Sequence, residues 1–153
     1  MIEKKEYMSR RQELMSMMHK NSIAVISSAP EKVRSRDTNY PYKQNVNLTY
    51  LAGFPEPESV LVLIPDREDG QVILFCRDKD PLRETWDGYR EGPASAIKKY
   101  GFDDAFPISD IDDILPNLIE GKDRLYYAVG KDAEFDKRIM AVSYTHLRAH
   151  ETR

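Results

Sequence analysis

The chain has 153 residues, 41% of them hydrophobic and 32% charged, which suits one globular domain with a single modest core. Its 23 basic and 26 acidic side chains leave a formal charge of -3 with both signs spread along the chain. That balance argues against a binder of duplex nucleic acid, which needs a basic face to displace counterions.

Residues 1–20 carry charges throughout and lack the apolar stretch of a signal peptide, and no segment is long enough to span a bilayer, so the expected location is cytoplasmic. Within residues 3–19, Tyr7, Met8, Leu14, Met15 and Met18 recur at helical spacing, which predicts an amphipathic opening helix packed on a sheet. His19 is expected at its C-terminal end, as a favourable charge near the dipole rather than a ligand. Residues 23–26 form a short apolar run bounded by polar residues and read as a buried strand. Residues 48–51, closed by Gly53, predict another strand. Residues 60–64 and 72–75, joined by a charged six-residue loop from Pro65 to Gly70, predict an antiparallel hairpin. The lone cysteine, Cys76, ends this run; it excludes an intrachain disulfide and reads as a small buried residue of a protein from reducing surroundings.

Pro93 and Gly101 bracket a short helix, proline at its first position and glycine just past its end. Ser109 and Asp112 resemble a capping box opening a second helix with Ile111, Ile114, Leu115, Leu118 and Ile119 on one face. Pro116 conflicts with that pattern at a cost of roughly 3 kcal/mol and predicts a kink or restart. Residues 125–129 read as a strand ending at Gly130, and Asp132 as the cap of a helix carrying Phe135, Ile139 and Met140. With a hairpin among alternating strands and helices, the expected class is α/β, a mixed β-sheet flanked by α-helices.

Two segments carry a resemblance. Residues 34–54 read RSRDTNYPYKQNVNLTYLAGF and lead through Pro55, Glu56, Pro57 and Glu58 into the strand VLVLI; residues 80–92 read DPLRETWDGYREG. Together with the RRQEL opening helix and the turn at Ala29, Pro30 and Glu31, they closely resemble the amino-terminal domain of aminopeptidase P, an Xaa-Pro aminopeptidase of the creatinase and prolidase-like metallopeptidases. The resemblance covers essentially residues 6–140. It implies that residues 1–141 form that amino-terminal domain, that the carboxy-terminal "pita-bread" catalytic domain is absent, and that the parent enzyme releases the amino-terminal residue preceding proline. It further implies two divalent metals, usually manganese, in the full-length parent and none bound by this chain. Such metals lie roughly 3.5 to 4 Å apart and make a hydroxide nucleophile. Within residues 1–140 the only histidine is His19 and no acidic grouping has a ligand spacing, so this chain alone is expected to be inactive. Its expected partners are the missing catalytic domain, further copies in a homo-oligomer of the full-length protein, and peptides with proline second; neither nucleic acid nor membrane is expected.

The resemblance also assigns site residues. Trp86 reads as lying on a turn where its large ring wants a partner; the family's segment belongs to the oligomer surface, and its tryptophan approaches the active-site mouth of a neighbouring subunit. Carried over, Trp86 covers the proline-containing end of a peptide, or anchors an interface, and Arg90 pairs with a nearby carboxylate. Asp37, with Arg34 and Arg36, either joins such contacts or forms a structural ion-pair cluster. Tyr40, Tyr42, Tyr50 and Phe54 have the composition of a base-stacking surface, but the neighbouring Pro41 and amides favour a packed loop. The last residues, 142–153, resemble a translated sequencing-adaptor read-through and are expected to be a non-native, disordered tail. His146 and His150 lie four apart within it, an accidental spacing unless the chain is a small zinc hydrolase. A stand-alone peptide- or protein-binding module is the alternative to an enzyme fragment.

Overall fold

The computed structural model describes residues 2–31 and 42–147. Its described elements, in chain order, are α1 (Lys4–Ser16), β1 (Ser22–Ser27), α2 (Val46–Ala52), β2 (Val60–Leu63), β3 (Val72–Cys76), α3 (Pro81–Asp87), α4 (Pro93–Tyr100), β4 (Asp104–Pro107), a 3-10 turn (Ile108–Asp110), α5 (Ile111–Ile119), β5 (Arg124–Tyr126) and α6 (Ala133–His146). The strands form one sheet in the order β4-β3-β2-β1-β5. β2 runs antiparallel to both its neighbours, whereas β1 pairs with β5 and β3 with β4 in parallel. This is the mixed sheet flanked by helices that the sequence predicts.

Both faces of the sheet are covered, which is why the central strands are continuous apolar runs rather than alternating ones. Leu61, Leu63, Leu74 and Cys76 pack with Met15, Leu48, Leu51 and Ala96 of α1, α2 and α4. Val60, Val62, Ile73 and Phe75 pack with Ile111, Leu115, Ile119, Phe135 and Ile139 of α5 and α6. Cys76 is fully buried, and burial pushes its thiol up to about 12, so it stays protonated and unreactive at neutral pH.

Residues 48–51 are helical, not a strand. Leu48, Leu51 and Ala52 are buried at helical spacing, Asn45 caps the N-terminus by accepting from the Asn47 and Leu48 N–H groups, and Gly53 ends the helix at φ 67°. A Cβ at Gly53 would lie 2.5 Å from the Tyr7 ring, so close approach and left-handed backbone both demand glycine there. α1 stops at Ser16, which leaves His19 beyond the reach of its dipole; the His19 N–H instead donates to the Tyr126 hydroxyl at 3.4 Å. α5 begins through the 3-10 turn with no side-chain cap, and Asp112 pairs with Arg138 rather than closing a box. Pro116 sits inside α5 without a restart; lacking an N–H, it leaves the carbonyl of the exposed Asp112 without its usual helical donor.

At the other end of the chain, Met140 is 57% exposed rather than part of the buried stripe. α6 runs through Val142 to His146, with Val142 and Leu147 packed against the second core, so residues 142–147 are ordered where disorder was expected. The apolar spacing from Ile139 through Val142 lets the helix persist. His150 lies outside the described residues, and His146 places Nδ1 3.0 Å from the Val142 carbonyl.

Two polar side chains tie neighbouring segments together. Arg11, 1% exposed on α1, donates Nη1 to Leu51 O at 2.9 Å and Nη2 to Tyr100 O and Gly101 O at 3.1 and 3.2 Å. It thereby satisfies the carbonyl ends of α2 and α4 together. Burial pulls its pKa down to about 10, with Asp103 opposing. Gln44 accepts at Oε1 from the Ala29 and Asn45 N–H groups, with the Tyr42 hydroxyl oxygen 2.9 Å away, and donates Nε2 to Phe54 O and Glu56 O at 3.0 and 2.9 Å.

Burial also pushes the Tyr42 and Tyr100 hydroxyls up to about 12. A raised tyrosine stabilises the fold fully below the ordinary pKa of about 10 and loses that contribution as pH rises through the folded value. In a tyrosinate absorbance titration these two are expected to lag behind the exposed tyrosines, and stability should fall between about pH 10 and 12. Coincident ionisation of all nine tyrosines near pH 10 in the folded protein would contradict this.

Candidate functional site

Because β1, β3, β4 and β5 run in one direction and β2 in the other, Ser28, Arg77, Ile108 and Tyr127, each just past a parallel strand, meet the Glu56 to Ser59 lead-in to β2 at one edge of the sheet. Such carboxyl edges are where open α/β sheets usually bind. Here the edge carries a polar cluster with an arm above it.

The cluster centres on two carboxylates, Glu56 and Glu91, 8% and 5% exposed. Glu56 Oε1 pairs with Arg77 Nη2 at 3.3 Å, and Oε2 accepts the Glu91 N–H at 2.7 Å. Glu91 accepts from the Ser95 hydroxyl, takes the Tyr89 hydroxyl at 3.3 Å and faces Lys99 at 3.6 Å, so a carboxylate stands at the N-terminal end of α4 where the dipole favours it. The donors converging on them hold both carboxylates in place.

The arm is α3 with its flanks. Pro81 occupies the first turn and the Asp80 carboxylate accepts the Arg83 N–H at 3.2 Å, so the segment read as a turn is a capped helix with Trp86 in its last turn. α3 contributes no buried residue; Leu82 and Trp86, one turn apart, are 78% and 84% exposed, and Tyr89 is 62% exposed. Lys79 Nζ donates to Glu84 Oε1 at 2.9 Å and to Arg90 O at 2.8 Å and lies 4.0 Å from the centre of the Tyr89 ring. The Glu84 pairing raises Lys79 and lowers Glu84 from their ordinary values.

The sequence-predicted residues divide as follows. Trp86 and Arg90 share the arm. The Arg90 guanidinium reaches the Asp78 carbonyl at 3.4 Å rather than a carboxylate, and it is the Arg90 N–H that meets one, Glu84, at 3.1 Å. Asp37, Arg34, Arg36 and Tyr40 lie outside the described residues. Phe54 is fully buried, Tyr42 gives its hydroxyl to Ala29 O, and Tyr50 lies under Arg10 at 4.3 Å, so these three rings do not form an exposed stacking row. Sequence reasoning missed Glu56, Arg77, Lys79, Glu84 and Glu91. A glutamate between two prolines, just ahead of a strand buried on both faces, was the available signal for Glu56.

A second concavity of about 490 Å³ lies between α1, α2 and the β1–β5 side of the sheet, lined by Leu14, Met17, Met18, Ile26, Tyr50 and Tyr126. Among the described residues no group of three or more His, Cys, Asp or Glu side chains could hold a metal ion, so these residues do not fit a dinuclear centre. No described helix is long and apolar enough to cross a membrane.

Comparison with known proteins agrees with this architecture. The family model described as "Aminopeptidase P, N-terminal domain" matches residues 7–127. The Xaa-Pro aminopeptidase of Escherichia coli K12 is 43% identical over 136 residues, which cover 88% of this chain and 31% of that protein. The structure of Pseudomonas aeruginosa aminopeptidase PepP is 54% identical with a TM-score of 0.89, covering 94% of this chain and 33% of that one. Zn-substituted Escherichia coli aminopeptidase P in complex with product is 40% identical with a TM-score of 0.86, covering 92% of this chain and 32% of that one. The chain thus spans about a third of the length of these relatives. On its matched residues, sheet order and flanking helices, it belongs to the aminopeptidase P N-terminal domain family.

Proposed function

We propose that this chain is the amino-terminal scaffold and oligomerisation domain of a manganese-dependent, cytoplasmic Xaa-Pro aminopeptidase that releases the residue preceding proline. The observation that carries this reading is one of coverage: nearly all of the chain matches relatives of that name, and the match takes in only about a third of each. Chemistry then belongs to the remaining two thirds, where a metal pair, when bound, supplies an activated water. This chain's residues do something else. The cluster at Glu56 and Glu91 holds an arm that presents Trp86 and Leu82 to a neighbouring subunit or to the proline end of its peptide, with Arg90 bracing the arm's neck and Asp37 joining these contacts. Residues 142–153 are a foreign replacement for the natural continuation, and the isolated chain is inactive.

A chimera tests this. With residues 1–140 substituted for the corresponding third of the Escherichia coli relative, the expected product is an oligomer that cleaves Xaa-Pro peptides after manganese loading, while the 153-residue chain alone cleaves none. A chimera that folds and binds metal but neither assembles nor cleaves would count against the proposal. The stand-alone module reading draws on the apolar concavity beside Tyr50. It requires saturable binding of a peptide or protein by the isolated chain, measured calorimetrically.

A further inference from the structure

The arm leaves the body of the domain at Arg77 and returns at Glu91, and both stems end on one side chain. Glu56 Oε1 holds Arg77 Nη2, and Glu56 Oε2 holds the Glu91 N–H. The Glu56 and Arg77 side chains are 10% and 11% exposed, so this contact sits largely out of solvent, where charge-assisted bonds are strongest. Above it the stems are joined to each other: Lys79 Nζ reaches Arg90 O, and Arg90 Nη1 reaches Asp78 O. The Glu84 carboxylate closes the top of the neck by accepting the Asp80 and Arg90 N–H groups. These upper ties join the stems to each other and not to the sheet, the Lys79 side chain among them is 49% exposed and open to water, and α3 itself buries nothing. Apolar packing therefore does not set the arm's direction. Among the described residues, Glu56 is the carboxylate that ties both stems to the sheet edge from outside the arm, and its contact with the Glu91 N–H is buried.

We propose that Glu56 is the positioning residue for Trp86: by holding both stems of the 77–92 arm to the sheet edge it fixes where the indole is presented. This rests on the reading of Trp86 as a contact residue in the assembled enzyme. It adds a residue of the lead-in to β2, outside the arm, whose effect on substrate or subunit contact is exerted through the arm.

Trp86 is the only tryptophan in the chain, so its fluorescence anisotropy reports the arm alone. Glu56→Gln keeps the side-chain shape and an acceptor for one stem while turning a donor toward the other. In the 153-residue chain, the expected result is local indole rotation about two-fold faster with unchanged far-UV circular dichroism. Unchanged rotation in the folded variant overturns the proposal. If Glu56→Gln loses secondary structure, Arg77→Met releases one stem only and is held to the same outcome. In the chimera, Glu56→Gln and Trp86→Ala should each lower kcat/KM by roughly ten-fold, mainly through KM, with the double variant no worse than Trp86→Ala. A drop for Trp86→Ala with none for Glu56→Gln refutes the positioning role. No drop for Trp86→Ala removes the contact reading instead and leaves the anisotropy result to judge Glu56.

Discussion

Gln44→Glu should destabilise the domain by about 3 kcal/mol, although the two side chains have the same shape. The amide donates Nε2 to Phe54 O and Glu56 O while Oε1 collects the Ala29 and Asn45 N–H donors. A carboxylate satisfies the second set and opposes the first with like partial charges at hydrogen-bond distance. Two carbonyls then lose their donor in a half-buried setting, at about 1 to 3 kcal/mol each. For a chain of this length that is roughly a 10 °C fall in melting temperature. The deficit should shrink below about pH 4.3, because the protonated acid regains one donor. A carboxyl made easier to protonate in the folded state adds stability below its unfolded pKa and withdraws it as pH rises. Thermal melts at pH 4 and pH 8 check this, and equal losses at the two pH values would show that the donor bonds are not the cause.

Arg11→Ala should cost still more, about 4 kcal/mol. It removes three hydrogen bonds to the carbonyl ends of α2 and α4 and leaves a void where the guanidinium lay 5.1 Å from the centre of the Phe102 ring. Two effects oppose each other at this position. The depressed pKa shows that burying the charge is unfavourable, so deleting it recovers something, whereas the orphaned carbonyls and the void take more. Arg11→Met separates them: it fills most of the space, carries no charge and should lose about half as much as alanine. Arg11→Lys should rescue little, because one ammonium cannot serve the ends of both helices as the planar fork does. Urea unfolding of the three variants gives the ranking, and methionine matching alanine would show that carbonyl satisfaction outweighs packing.

The parts of the fold legible in the sequence were those whose local chemistry and burial agree. β2 and β3 are apolar on every residue because both faces are covered, and their hairpin loop is unmistakable. α4 and α6 were marked by Pro93 at the first helical position, Gly101 at the end of α4 and Asp132 at the N-cap of α6. α2 was misread because its branched and aromatic residues favour a strand, and the Asn45 cap and Gly53 terminus outweigh that preference. β4 escaped notice: an edge strand of four half-buried residues, with Phe106 its one large apolar side chain, leaves little pattern to read. Trp86 was visible as a large ring needing a partner, but the device that holds it was not. Glu56, Arg77 and Glu91 are far apart in sequence, and only the reversal of β2 brings them to one edge.

The join between β1 and β5 bears on how the chain folds. β1, β2 and β3 pair as successive neighbours, whereas β5 must find Ser22, Ile23 and Ala24 from the far side of the sequence and does so over only three residues. Closing so long a loop for so few bonds places that step late in the folding reaction and makes it the first to reverse. Amide hydrogens of Arg124, Leu125 and Tyr126 should accordingly exchange with solvent deuterium well before those of Leu61 or Leu74, through openings that leave the central meander intact.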